Sequence, residues 1–513
     1  MAADVPILHV LATRPDGLAL DDLTRTRTWA GLWDRATRAG HALRDAAGVG
    51  PGEHAAMVMG NRVEFVELAL GATLAGAFVT PVNWHLTAEE IAFILDDSGA
   101  RIVFTDPAFA EVTRDAVARL GSSIPVVVAG DELDALLGDA GDAPFDLEGP
   151  AGGNLFYTSG TTGRPKGVKR AVADTLRGQL QALPAYGGVL GLDGGGPHLV
   201  TGPLYHAAPV GFAMMDLHLG APMVVMPRWD EEQALALIDD RAVRDSHLVP
   251  TMFVRLLALA PERRARFDGS SLHTVLHGAA PVAPLIKRQM IEWWGDVLVE
   301  YWGASEGGVV TLVGAQDWLA HPGTVGRAVR AHEVFAVDPE GRRLPAGETG
   351  ELFCHNHATA QVFVYHNDPA KTADAFREPG VYTIGDIGRV DDDGYVYLSD
   401  RASSMIISGG VNIYPAEIEQ VLIEHPAVAD VGVFGIPDAE WGEQVKAAVE
   451  LAPGFEASTA LEAELLAFVR TRLAGFKVPK SVDFETELPR YPTGKLYTRL
   501  LKDRYWVGRD KRI

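Results

Sequence analysis

Two hydrophobic periods alternate along the first two thirds of this chain, and that alternation restricts its fold more than any other feature. Thr28 is placed to cap a helix whose apolar residues Trp29, Leu32, Trp33, Ala36 and Leu43 keep helical spacing. Pro51-Gly52 then turns the chain into a strand over 55–59, and a second helix runs through Phe65, Leu68 and Ala72. Thr87 with Glu90 three residues later is a capping box that opens a third helix. A strand over 102–105 follows, and the rhythm continues with strands near 125–129, 199–201, 223–226, 247–249 and 274–276. Each intervening helix returns the chain to the same end of a sheet, so the strands pair in parallel and helices cover both faces. The expected fold class is therefore α/β.

After about residue 330 the texture changes. Short strands over 333–337, 350–354 and 394–398, separated by Gly, Pro and Asp turns, predict a β-rich subdomain. From Pro415 a helix over 416–424, strands over 430–434 and 445–451 and a helix over 460–473 predict a small α+β domain. The expected organisation is a large N-terminal domain of parallel-rich sheets (1–400, with the β-rich subdomain at about 330–400), a hinge at 401–404 and a C-terminal domain at 405–513. A chain of 513 residues exceeds one ordinary core, which agrees with this division.

Composition narrows the function classes. Hydrophobic content of 47% and charged content of 22% are those of a soluble globular protein. A net charge of −23 argues against a nucleic-acid partner, whose phosphates need basic surface. It still admits a nucleotide substrate, because a local pocket of amides and one or two cations holds phosphates inside an acidic protein. Cys354, the only cysteine, can form no internal disulfide and no cysteine metal cluster. It lies in strand-like Glu351-Leu352-Phe353-Cys354 and reads as a packing residue rather than a nucleophile. Met1-Ala2-Ala3-Asp4 lacks the basic start of a signal peptide. The longest apolar stretch, 199–226, is broken by His206, Asp216, His218 and several Gly and Pro, so it reads as buried core and not as an integral membrane span. A cytoplasmic location is the expectation, and a homodimer is left open.

The most specific motif is Tyr157-Thr158-Ser159-Gly160-Thr161-Thr162-Gly163-Arg164-Pro165-Lys166-Gly167-Val168, which follows a strand ending at Phe156-Tyr157. Glycines let backbone amides turn toward an anion, hydroxyls donate to its oxygens, and the lysine adds charge. The plainer alternative is a surface turn rich in Ser, Thr and Gly. The spacing is not that of a Walker loop, so a P-loop kinase or ATPase does not fit. His-Glu-x-x-His is absent.

This run closely resembles the phosphate-binding signature of the adenylate-forming superfamily: acyl-CoA synthetases, peptide-synthetase adenylation domains and luciferases. Further segments match in the family's order. Pro203-Leu204-Tyr205-His206 resembles an aromatic/histidine gate. Gly278-Ala279-Ala280-Pro281 resembles an adenine-contacting strand end, and Glu300-Tyr301-Trp302-Gly303-Ala304-Ser305-Glu306 the segment that stacks on adenine and supplies a magnesium-binding glutamate. Tyr382-Thr383-Ile384-Gly385-Asp386 resembles the ribose motif, and Asp400-Arg401 the start of the hinge. Ser408-Gly409-Gly410-Val411-Asn412-Ile413-Tyr414-Pro415-Ala416-Glu417-Ile418-Glu419 follows it, and Pro489-Arg490-Tyr491-Pro492-Thr493-Gly494-Lys495 resembles the terminal lysine motif.

The resemblance implies an acid–CoA ligase that forms acyl-AMP from ATP and a carboxylic acid, releases pyrophosphate and passes the acyl group to coenzyme A. Lys495 would neutralise the carboxylate and the α-phosphate as they meet, and Glu306 would hold Mg2+ as a hard oxygen ligand. Thr158, Ser159, Gly160, Thr161, Thr162, Gly163 and Lys166 would hold the departing phosphates. Gly278, Ala279, Ala280, Glu300, Tyr301, Trp302, Gly303 and Ser305 would surround the nucleotide, with Asp386 and Arg401 at the ribose. Taken singly, most of these charges read as surface residues or ion-pair members. His206 either gates the acyl pocket, contacts the acyl phosphate or is structural.

The acyl pocket is assigned to His206, Ala207, Val210, Gly211, Val249, Phe253, His277, Gly278 and Trp302, mostly apolar and suited to a small apolar acid. Coenzyme A is assigned, on looser matches, to Gly409, Gly410, Trp441, Phe476 and Lys477. Ser403 stands where the family's hinge commonly carries Asp or Lys. An amide-forming or carrier-loading ligase would keep the same adenylation residues, and a non-catalytic acyl- or nucleotide-binding protein is the alternative of another class.

Overall fold

The capping box forms as its residues dictate. The backbone N–H of Thr87 donates to the Glu90 carboxylate at 2.9 Å and the Glu90 N–H donates to the Thr87 hydroxyl at 3.4 Å, opening the helix Ala88–Ser98. Thr28 likewise caps Trp29–His41 by accepting from Gly31 N. The computed structural model describes residues 4–121, 123–158, 165–401, 404–408, 411–438, 441–490 and 496–506.

Elements like these build two large sheets. In the first, of seven strands, Gly153–Thr158, Phe78–Pro81, His54–Val58, Ala100–Thr105 and Val126–Val128 run parallel. Lys166–Arg170 and Phe363–Tyr365 extend it antiparallel beyond Gly153–Thr158. In the second, of nine, Leu298–Ala304, Thr274–His277, Asp245–Leu248, His198–Val200, Met223–Val225 and Leu18–Asp21 run parallel in that spatial order, with antiparallel strands at both edges. The helices Trp29–His41, Val63–Ala75 and Ala207–Leu219 share one buried apolar cluster that also takes in strands of both sheets. Full burial of a side chain such as Phe65 is worth about 1.5–3 kcal/mol. Gly71 permits the close pass of the first two helices, since a Cβ there would lie 2.6 Å from Ala36 O.

The β-rich part is a five-stranded antiparallel sheet of His332–Val337, Gly350–Asn356, Val381–Val390, Phe376–Glu378 and Val396–Arg401. The last strand begins later than its apolar pattern suggests. Asp391 accepts the N–H groups of Asp393 and Tyr395, and Gly394 takes φ +83°, so 391–394 is a turn. A second five-stranded sheet comprises Val411–Ile413, Ile406–Ser408, Gly442–Leu451, Val428–Asp438 and Ser481–Glu485, with its own apolar cluster. The α/β class, with a large N-terminal and a small C-terminal domain, is thus the observed one. Among the described residues, no helix is long and apolar enough to cross a membrane. Cys354 is buried among apolar side chains, and that burial pushes its thiol pKa up.

Candidate active site

Thr158 and Lys166 are register partners at the paired ends of two antiparallel strands. They flank Ser159, Gly160, Thr161, Thr162 and Gly163, which lie outside the described residues. Lys166 Nζ stands 5.3 Å from the centre of the Tyr365 ring. The Tyr365 hydroxyl donates to Glu306 Oε1 at 3.0 Å. Lys371 Nζ reaches the same ring at 5.9 Å. Burial, and next the Lys371 ammonium, push Lys166 down to about 8, while Glu306 and Asp368 pull the other way. Three segments far apart in sequence thus bring a carboxylate, two ammonium groups and a phenol together beside the strand Lys166–Arg170.

A second cluster forms where Leu298–Ala304 meets the β-rich sheet. Trp302 Nε1–H donates to Asp386 Oδ2 at 2.7 Å, both residues being buried. Asp386 is in turn the register partner of Arg401 on the neighbouring strand. Gly278 follows the end of Thr274–His277, where a Cβ would lie 2.6 Å from Tyr301 O. Ala279 next to it has φ +66°, a left-handed conformation that is unfavourable for alanine. Gly303 lies against Gly308, and Ser305 and Ala280 are on the accessible loops beyond these strand ends.

Strand alternation sorts the remaining candidates onto two faces of the nine-stranded sheet. Tyr301 packs on Phe212, with ring centres 5.1 Å apart, and its hydroxyl is 3.0 Å from His247 Nε2. That face carries the helix Ala207–Leu219, hence Ala207, Val210 and Gly211. A Cβ built on Gly211 would meet no atom within 4 Å. His277 and Glu300 are register partners on the opposite face. There His277 packs edge-on against Phe253 at 5.0 Å. Glu300 forms a buried ion pair with Lys287 at 2.5 Å, and the Lys287 ammonium also lies 4.8 Å from the Trp318 ring centre. Burial raises Glu300 and lowers Lys287, and their attraction opposes both shifts. Val249 caps the helix Pro250–Ala258 that holds Phe253.

The structure therefore does not bring Glu300, His277 and Phe253 together with Tyr301 and Ala207. His206 precedes Ala207–Leu219 with its Nε2 buried and unpartnered. Its ring centre is 4.3 Å from that of Tyr205, and burial, then His85, push its imidazole down to about 3. The ring is neutral at pH 7.

In the C-terminal domain, Trp441 and Phe476 are 52% and 51% exposed, unusually open for aromatic residues. Lys477 is held by both oxygens of Glu417 at 2.6 Å. Lys495, Gly409, Gly410 and Ser403 lie outside the described residues.

The model of the AMP-binding enzyme family matches residues 8–364, and that of the AMP-binding enzyme C-terminal domain matches residues 417–495. The chain belongs to the AMP-binding enzyme family. This AMP-binding enzyme is 35% identical over 500 residues to a feruloyl-CoA synthase of an Amycolatopsis species, covering 97% of this chain and 96% of that one. It is 33% identical over 509 residues to the fatty acid–[acyl-carrier-protein] ligase ScoC of Streptomyces coeruleorubidus, covering 95% and 93%. Its fold superimposes on ATP-bound MatB from Rhodopseudomonas palustris with a TM-score of 0.84 at 28% identity, covering 98% of this chain and 99% of that one.

Several residues at the site of this AMP-binding enzyme escape a motif-by-motif reading. Tyr365 and Lys371 sit between the matched segments, in Val364-Tyr365-His366-Asn367-Asp368-Pro369-Ala370-Lys371. The available signal was Asp368-Pro369, a helix start: Asp368 caps Pro369–Ala375 by accepting from Lys371 N at 2.9 Å. His247 and Lys287 gave no motif. The period-two alternation through 298–304 could have placed Glu300 and Tyr301 on opposite faces.

Proposed function

We propose that this protein is an AMP-forming acid–CoA ligase acting on an apolar, fatty or aromatic carboxylic acid. The observation that carries the reading is the 2.7 Å bond between Trp302 and Asp386. It joins a flat aromatic face to a carboxylate suited to ribose hydroxyls, and Trp302 lies on the strand Leu298–Ala304 that leads to Glu306, which accepts from Tyr365. In the first half-reaction a substrate carboxylate oxygen attacks the α-phosphorus of ATP. The bond from that phosphorus to the β-phosphate's bridging oxygen breaks, and pyrophosphate leaves with the electron pair. Both reactants are anions, so the chain must supply cations: Lys166 on the pyrophosphate side and Lys495 between carboxylate and α-phosphate. Asp386 and Arg401 hold the ribose.

Glu306, a carboxylate beside the phosphate loop, is the hard oxygen donor that fits Mg2+, whose remaining ligands would be water and phosphate oxygens. Bound there, the ion would neutralise phosphate charge. In the second half-reaction the thiolate of coenzyme A attacks the acyl carbon, the acyl–oxygen bond breaks, AMP leaves and the thiol proton passes to solvent. The exposed Trp441 and Phe476 are fitting surfaces for the nucleotide end of coenzyme A. The apolar acid is favoured by the face made of Phe212, Met215, Leu276 and Tyr301, with open space at Gly211. Neutral His206 at its entrance adds no fixed charge. A cytoplasmic location, where ATP and coenzyme A are at hand, belongs to the same reading.

The test is pyrophosphate release from ATP across a panel of fatty, aryl and amino acids, with and without coenzyme A. Acyl-AMP and thioester are identified by mass. Apolar acids should give acyl-AMP alone without coenzyme A and thioester with it. Absence of pyrophosphate release with every acid refutes the adenylation reading. Acyl-AMP that yields an amide with added amines, and never a thioester, replaces the coenzyme A half with amide ligation.

A further inference from the structure

Lys371 belongs to none of the matched motifs, yet its ammonium shares the Tyr365 ring with Lys166. The centroid distances are 5.9 and 5.3 Å, both inside the range where a cation is drawn to an aromatic face. The two ammonium groups are close enough that Lys371 depresses Lys166. Among the described residues neither makes an ion pair. The nearest acidic groups on the packed elements are already engaged: Glu306 accepts from the Tyr365 hydroxyl, and Asp368 caps the helix that carries Lys371.

This helix is fastened to the strand. Tyr365 N donates to Thr372 Oγ1 at 2.9 Å, and that hydroxyl donates in turn to Asp368 O at 2.9 Å. The second lysine is therefore held at the site by its backbone and not only by a flexible side chain. Two like charges fixed together in a half-buried place repel one another, and the cost is recovered when a multiply charged anion lies between them. The charges of Glu306 and Asp368 offset part of that repulsion, but among the described residues neither forms an ion pair with either lysine.

We propose that Lys371 is a second cation of the pyrophosphate site, binding β- and γ-phosphate oxygens jointly with Lys166, with Tyr365 as the plate that positions both. This rests on the adenylation reading for its place in the reaction, but the binding it asserts can be measured without turnover. It assigns Lys371 to the triphosphate tail and to the leaving group, and to nothing on the AMP side.

The experiment compares the full chain with Lys371→Met and Lys371→Arg, after thermal melting confirms that each variant is folded. Calorimetric titrations use inorganic pyrophosphate, MgATP and AMP. The Met variant should bind pyrophosphate and MgATP on the order of tenfold more weakly, the size of one lost hydrogen bond to a charged group, with AMP affinity unchanged. The Arg variant should recover most of the loss. Removing the neighbouring charge should also raise Lys166, so the alkaline fall of kcat/KM for ATP should move to higher pH in the Met variant.

Equal weakening of AMP and pyrophosphate would mean that Lys371 merely supports the fold, and overturns the proposal. Unchanged pyrophosphate affinity in a folded Met variant overturns it too. If no acid supports pyrophosphate release by the unmodified protein, the adenylation reading fails. The selective loss of pyrophosphate binding would then still uphold Lys371 as a polyphosphate ligand.

Discussion

Asp386 accepts the Trp302 indole N–H from a buried position within the strand Val381–Val390, so its charge and its acceptor oxygen can be removed in separate experiments. Asp386→Asn keeps an oxygen for the indole and loses the charge. It should raise the ATP KM on the order of tenfold with little change in melting temperature. Asp386→Ala also strands a buried indole donor and should cost about 1–3 kcal/mol of stability in addition. An unchanged ATP KM in the Asn variant would place the ribose elsewhere. At this scale the sequence was legible wherever a residue belonged to a dense local motif. Trp302 and Asp386 could each be named, but their bond spans 84 positions and leaves no mark in either segment. Tyr365 and Lys371 were illegible for the same reason: what makes them chemically notable is Lys166, nearly two hundred residues earlier, and only the pairing of Phe363–Tyr365 with Lys166–Arg170 brings them there. Glu300 shows the converse. It sits inside a motif, yet Lys287 already satisfies it on the far face of the sheet.

Elements were read from local rules, and their ends moved where a long-range partner extended them. The strand expected over 430–434 runs Val428–Asp438, because it pairs along its whole length with Gly442–Leu451. The strand Val396–Arg401 likewise continues through residues 400 and 401, which pair with Ile387 and Asp386. Only positions 402 to 405 then separate it from Ile406–Ser408 in the C-terminal sheet. Two half-reactions with different partners call for two arrangements of the Lys495 and Gly410 faces, and rotation at this short connection is the proposed means of exchange. Ser403→Pro fixes φ there and should spare acyl-AMP formation while suppressing thioester formation. The check is to follow both products in one reaction with ATP, acid and coenzyme A. Thioester made at the normal rate would mean that the pivot lies elsewhere.

Across the whole molecule, charge sits where the chemistry is not as well as where it is. Asp245 begins a parallel strand at the end of the sheet away from Gly278, is fully buried and keeps an unpartnered oxygen. Burial first, then the Asp216 carboxylate, push it from 3.8 up to about 7, against the pull of His198 and His273. A carboxyl raised in the native state binds more protons there than in the unfolded chain. Its contribution is therefore complete below about pH 3.8 and lost as pH climbs to about 7. Asp245→Asn should remove that decline, making the variant more stable than the parent at about pH 8 and little different at about pH 4. Urea midpoints at the two values test it, and a variant less stable at the higher pH would contradict the sign. The architecture at this scale was legible as a class but not as an order. Leu18–Asp21 lies beside Met223–Val225, and nothing within either segment announces a neighbour two hundred positions away. One pairing reaches furthest. Asp386 and Arg401 share a rung at the very end of a ladder, and the chain leaves for its second domain from that rung. A nucleotide gripped there sits at the fulcrum of a lever rather than on its arm. If the ribose binds there as proposed, a small displacement of it would be multiplied by the length of everything hung beyond it, and the molecule would need no long relay to turn a change of ligand into a change of shape.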